Sequence, residues 1–212
     1  MNLTLSAMRV SPVLWFAAAL VPMVASQLIR LQQDDATAWV LWDYAGRLGA
    51  LVMLFAVPAA RAVAFRSDKL RMEWWEIAAW TVGLILADHY AGAWIRQTLN
   101  DAVPASVLGQ YPETPGLLRA FDVVFGLALV AWNEEIVFRR CARDVFARWL
   151  GDGAAMIVAT SLLFGIYHWW GGIGSVAEAA LMGVPLMLFY RGAGALWPVV
   201  LAHYLVDIAE FF

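Results

Sequence analysis

The sequence predicts an all-α, polytopic integral membrane protein of about seven transmembrane helices, and three observations predict it. Of its 212 residues 63% are hydrophobic, against roughly 45–50% in soluble domains, and the mean hydropathy is +0.69. Apolar runs close to the ~20 residues needed to cross a hydrocarbon core recur along the chain. There are 12 Trp, and Trp39, Trp42, Trp74, Trp75, Trp169 and Trp170 fall near the ends of such runs, where amphipathic rings sit at headgroup level.

The expected spans are 11–29, 47–65, 74–95, 117–138, 153–170, 173–190 and 194–212. Residues 1–26 also resemble a signal peptide, with Arg9, an apolar stretch and the small-residue end Val24-Ala25-Ser26. That apolar run is long for a signal, so a retained first helix is expected. The stretch 96–116 is punctuated by Asn100, Asp101, Pro104, Gly109, Pro112 and Pro115 and reads as a loop. The last three spans are short and separated by Gly171, Gly172 and Gly174, then Gly192 and Gly194, so tight hairpins are expected. The chain thus divides into residues 1–115, with about three helices and a connecting loop, and residues 116–212, with about four.

Charge orients the bundle. If the spans alternate, ten of the 14 Lys and Arg fall on one side, among them Arg66, Lys69, Arg71, Arg143 and Arg191. The positive-inside rule then places the N-terminus in the cytoplasm. The net charge is −3 with no basic cluster resembling a nucleic-acid footprint, so no nucleic-acid partner is expected. A single Cys141 excludes an intrachain disulfide and a Cys-based metal cage and reads as a bystander thiol. Asp43, Arg47 and Asp122 lie near expected boundaries and read as interfacial. Asp88 and His89 are adjacent, diverge on a helix, and read as packing or interhelical hydrogen-bonding groups.

Three motifs carry the chemistry: Glu134-Glu135…Arg139, Phe164…His168 and His203…Asp207. Each sets ionisable side chains inside a stretch apolar enough for a bilayer, where such groups are costly and mark functional sites. Residues four apart share a helix face, so Glu135 can pair with Arg139, and Asp207 can reach His203. Glu134 points about 100° away from Glu135 and is free for another task. Glu178, in the sixth span, must face protein or water and is a candidate cavity-lining group.

In these motifs, over about residues 115–210, the chain resembles the CPBP family, which comprises CAAX proteases and bacteriocin-processing proteins (also called Abi) and consists of intramembrane endopeptidases. Each motif alone arises often by chance; all three in order, each inside an apolar span, form a specific signal. The resemblance implies an intramembrane catalytic cavity in which Glu134, helped by His168, acts as general base on a water. His203 and Asp207 would stabilise the oxyanion, with Glu135, Arg139 and Phe164 in support. Asp207 departs from members with Asn there: an ionised Asp only accepts hydrogen bonds, so it is either protonated by burial among acids or orients His203, the second being the expected role. No metal cofactor is favoured, since no H-E-x-x-H pair is present. A metal-dependent variant of the mechanism would hold zinc on Glu134, His168 and His203.

The resemblance implies the lipid bilayer as environment and a protein or peptide substrate, lipidated or C-terminally anchored in some members. Small size and no appended soluble domain favour a bacterial inner-membrane type. Two rival classes are a non-catalytic immunity or scaffold protein and a small proton-coupled transporter, although neither inverted repeats nor paired broken helices are visible. One difficulty stands in the spans themselves. Straight helices leave Glu134 near the cytoplasmic end and His168 roughly 22 Å from that side. For the two to meet, the fourth helix must run on through 139–150, the fifth must start below the boundary, or a pocket-lining stretch is misassigned to the cytoplasm.

Overall fold

The structure is a computed structural model that describes residues 11–210; Arg9 and most of the signal-like N-terminal basic region lie outside the described residues. Every regular element among them is helical. Among the described residues three helices are long and apolar enough to cross a membrane: α1 (Pro12–Arg30), α2 (Ala36–Ala56) and α10 (Ile173–Ala193). The other segments are a short α3 (Pro58–Ala64), a rod of α4 (Trp74–Leu86), a π-helical turn (Ala87–Gly92) and α5 (Ala93–Ala102), a second rod over 116–150, the shorter α9 (Ala154–Tyr167), and α11 (Trp197–Glu210). The second rod joins α6 (Gly116–Phe121), α7 (Leu127–Glu134) and α8 (Ala142–Leu150) through π-helical segments Asp122–Gly126 and Glu135–Cys141.

Two expected boundaries are corrected. The span placed at 47–65 is instead α2, which starts eleven residues earlier, where the Asp35 carboxylate accepts a hydrogen bond from the Ala38 N–H at 2.7 Å. It stops at Val57, extended at φ −93°, ψ 112°, because Pro58 disfavours helical backbone in the residue before it. The span placed at 117–138 continues unbroken to Leu150, so the rod is about 50 Å long at 1.5 Å per residue. Glu134 therefore lies near the rod's middle rather than at its end, which brings it level with His168.

Helix α1 packs along α2, α9 along α10, α10 against α5, and α11 between α4 and α7. Small residues let α9 and α10 approach. A Cβ on Gly165 would lie 2.5 Å from the Val176 carbonyl and 2.6 Å from the Ala180 Cβ, and one on Gly183 would lie 2.9 Å from the Ser161 Cα. Such close backbone contact is the usual helix–helix interface in lipid. The α10–α11 turn needs Gly194, at φ +70°. It is clamped by the Arg71 N–H on the Ala193 carbonyl at 2.9 Å and by Asp68, which accepts from the Leu196 N–H at 2.8 Å.

The chain runs to and fro between two ends of the bundle. One end gathers the loops 65–73, 151–153 and 194–196, tied by Arg143 on Asp152 at 2.6 Å and Arg191 on the Asp152 carbonyl at 3.0 Å. Here the Arg143 guanidinium holds the exposed Asp152 carboxyl below its ordinary pKa. The other end gathers 31–39, 107–111 and 168–171, tied by the Leu108 N–H on the Trp170 carbonyl at 3.0 Å. Leu14, Val52, Val82, Phe125, Leu162 and Leu181, drawn from successive segments, are all more than half exposed. Apolar surface on that scale belongs against lipid rather than water, and the molecule is an integral membrane protein.

Candidate active site

The second rod is buried on all sides from Asn133 to Ala142. The π-helical segment beginning at Glu135 widens the helix here, and such segments concentrate at functional sites. As a result Glu134 and Glu135, adjacent in sequence, are both interior, at 1% and 0% exposure.

Glu134 is held from α2. Its Oε1 accepts from Arg47 Nη1 at 2.8 Å, and Arg47 Nε donates to Asp43 at 2.7 Å. Asp43 in turn pairs with Arg30, whose guanidinium lies 4.1 Å from the Trp39 ring centroid and 4.5 Å from that of Trp170. Asn133 Nδ2 donates to the Arg47 carbonyl at 3.1 Å. Asp43 and Arg47 are thus not interfacial: they form a buried relay of alternating charge ending on Glu134. Asp122 is likewise buried, accepting from the Tyr44 and Tyr111 hydroxyls. In the loop, burial and the Asp122 carboxylate push the Tyr111 phenol above its ordinary pKa.

Glu134 Oε2 has no hydrogen-bond partner. It faces His168 Nε2 at 3.8 Å and His203 Nε2 at 3.9 Å. His168, just past the C-terminus of α9, has Nδ1 2.8 Å from the Phe164 carbonyl. A carbonyl only accepts, so Nδ1 carries the proton and Nε2 offers its lone pair. His203 Nδ1 lies 2.8 Å from Glu135 Oε1, and Glu135 Oε2 accepts from Arg139 Nε at 2.9 Å. Arg139 lies 4.4 Å over the Phe164 ring, and that ring meets both imidazoles edge-on, at centroid distances of 4.8 and 6.0 Å. The Glu135–Arg139 pair is present as the spacing predicts. Asp207 makes no hydrogen bond to His203: its Oδ1 is 3.6 Å from Nε2, an ion-pair separation, and Glu135 holds the ring from the other side.

Glu134, Phe164, His168, Glu178, His203 and Asp207 all line one cavity of about 760 Å³. Its wall reaches Asp101, Pro104, Gly109 and Trp170, residues of the end opposite the basic loops. Glu178 pairs with Arg96 at 3.0 Å, and Asp88 also lines the cavity, while His89 packs edge-on against Tyr90. Cys141 is buried in the core. Sequence reasoning passed over Arg47 and Arg96. The signal for Arg47 was present, an Asp43–Arg47 pair one turn apart within an apolar run, but a span begun at residue 47 put it at the membrane edge.

Fold and site define a class, a helical integral membrane protein with a buried glutamate facing two imidazoles across an internal cavity. Residues 116–209 match the model of the Rce1-like type II CAAX prenyl endopeptidases. That match covers the three motifs and is consistent with the CPBP family that they resemble, a family of proteases. No curated protein and no solved structure matches the chain.

Proposed function

We propose that the protein is an intramembrane endopeptidase that hydrolyses a peptide bond of a membrane-associated substrate by a glutamate-activated water. The observation that carries this reading is the unpartnered Glu134 Oε2 between two imidazole Nε2 atoms at 3.8 and 3.9 Å. Those separations are too long for direct hydrogen bonds and suit one bridging water. Arg47 fixes Oε1 and so aims Oε2. The water donates one hydrogen to Glu134 Oε2 and one to His168 Nε2 while its oxygen attacks the carbonyl carbon. Glu134 takes the proton as the tetrahedral intermediate forms. His203, with Nδ1–H on Glu135, donates from Nε2 to the oxyanion. Collapse breaks the C–N bond, and the proton held by Glu134 passes to the departing amine.

A metal-free mechanism is favoured. Zinc would fall to Glu134, His168 and His203, but the Arg47 charge, 2.8 Å away on the same carboxylate, opposes a dication there. Activity unchanged by a strong chelator supports this reading; activity lost to the chelator and restored by zinc overturns it.

The family description supports prenylated C-terminal tails as one substrate class; bacteriocin leaders and anchored tails are the others that the resemblance brings. With the basic end in the cytoplasm of a bacterial inner membrane, the cavity opens toward the extracytoplasmic side. Comparative proteomics of membrane fractions from cells with wild type and Glu134→Ala tests the function. A precursor that accumulates uncleaved only with the variant supports proteolysis. Identical peptide patterns together with an unchanged phenotype favour a non-catalytic scaffold.

A further inference from the structure

Another group of carboxylates lines the same cavity and takes no part in the reaction above. Asp88 comes from the π-helical turn after α4, Glu178 from α10 and Glu210 from the last residue of α11. One oxygen of each lies within 4.8 Å of the other two. Arg96 bridges two of them, with Nη1 3.0 Å from Glu178 and 2.5 Å from Glu210. One guanidinium thus serves a group of three acidic side chains.

A second observation points to a ligand. Glu178 is only 7% exposed, and its Oε1 has no hydrogen-bond partner, because Arg96 satisfies Oε2 alone. A buried carboxylate oxygen without a donor is costly. A Cβ on Gly92 would lie 3.0 Å from Glu178 Oε1 and 3.1 Å from Asp88 Oδ1, so these two oxygens converge over bare glycine backbone. The donors are all carboxylate oxygens, the set that hard cations such as Mg²⁺, Ca²⁺ and Mn²⁺ take and that soft metals do not.

We propose that Asp88, Glu178 and Glu210 bind one hard divalent cation in the cavity, with Arg96 as an adjoining counter-charge. The ion fastens the α4–α5 rod, α10 and α11 to one another beside the candidate active site. The site does not depend on the proteolytic reading, since its ligands are different residues.

The test is Mn²⁺ binding to the purified full-length protein in detergent, followed by the loss of the free-ion electron paramagnetic resonance signal. Wild type should take up one Mn²⁺ per chain and melt at higher temperature with it. Glu178→Gln and Asp88→Asn should each weaken uptake at least about tenfold, as expected when a ligand charge is removed. Without Mn²⁺ neither variant should melt below wild type, because each relieves like-charge repulsion; if one fails to fold, the other decides. Glu134→Gln should bind as wild type. No uptake by wild type at millimolar Mn²⁺, undiminished uptake by both carboxamide variants, or uptake abolished by Glu134→Gln would each overturn the proposal.

Discussion

Arg47 reaches Glu134 from a helix 87 residues earlier in the chain, and this contact sets the chemistry of the carboxylate. Replacing it with Met leaves Asp43 and Glu134 buried without their shared cation, a break that costs about 3–5 kcal/mol. Arg47→Met should therefore both lower the melting temperature in detergent and reduce cleavage; an unchanged melt would refute the buried relay. At Asp207 the expectation is the reverse. His203 is oriented by Glu135 at 2.8 Å, so Asp207→Asn breaks no direct hydrogen bond to the ring and should cleave within roughly tenfold of wild type. Glu135→Gln removes the counter-charge of both Arg139 and His203 and should be the more damaging change in side-by-side rate measurements. The sequence marked Glu134, His168, His203 and Glu135 because each stands inside an apolar stretch. It did not mark which carboxylate holds His203: an i, i+4 spacing favours Asp207, and only the packing of α11 on the second rod brings Glu135 closer.

At the scale of elements, the all-helical character was legible because apolar composition dictates it, whereas the seven expected spans meet three helices long and apolar enough to cross a membrane among the described residues, and boundaries depended on individual contacts. A window of hydropathy ends the fourth span at Arg139, yet the helix continues because Arg139 is paired with Glu135 and Arg140 with Asp68 and the Ala64 carbonyl. Charges neutralised by partners cease to be boundaries. Short hairpins were legible from Gly171, Gly172, Gly174, Gly192 and Gly194, whereas the close α9–α10 contact rests on two other glycines, Gly165 and Gly183. Gly165→Val places a branched side chain against the Val176 carbonyl and Ala180. Such overpacking costs about 1–3 kcal/mol, and it should displace Phe164 on the same helix and His168 just past its end. Thermal unfolding with a cleavage assay checks this. A variant with wild-type melting temperature and rate would mean that the helices are not in close contact.

The whole molecule separates a basic end, with Arg66, Lys69, Arg71, Arg143 and Arg191 around one hollow, from the end toward which the candidate active-site cavity extends. Charge asymmetry made this polarity legible, but the direction of the cavity was hidden until Glu134 was placed mid-rod. Lys69→Cys should react with an impermeant thiol reagent only in inverted vesicles, and Asp101→Cys only in right-side-out cells; the opposite pattern would invert the orientation. Cys141 is buried and should stay unlabelled in both. The most direct test of the account is the initial cleavage rate of an identified precursor by purified wild type and Glu134→Gln in lipid nanodiscs, with matched thermal unfolding. Loss of a general base predicts a fall of about 10²–10⁴-fold in rate with the fold intact. A folded Glu134→Gln that cleaves within a few-fold of wild type contradicts the assignment of this carboxylate as the group that activates water.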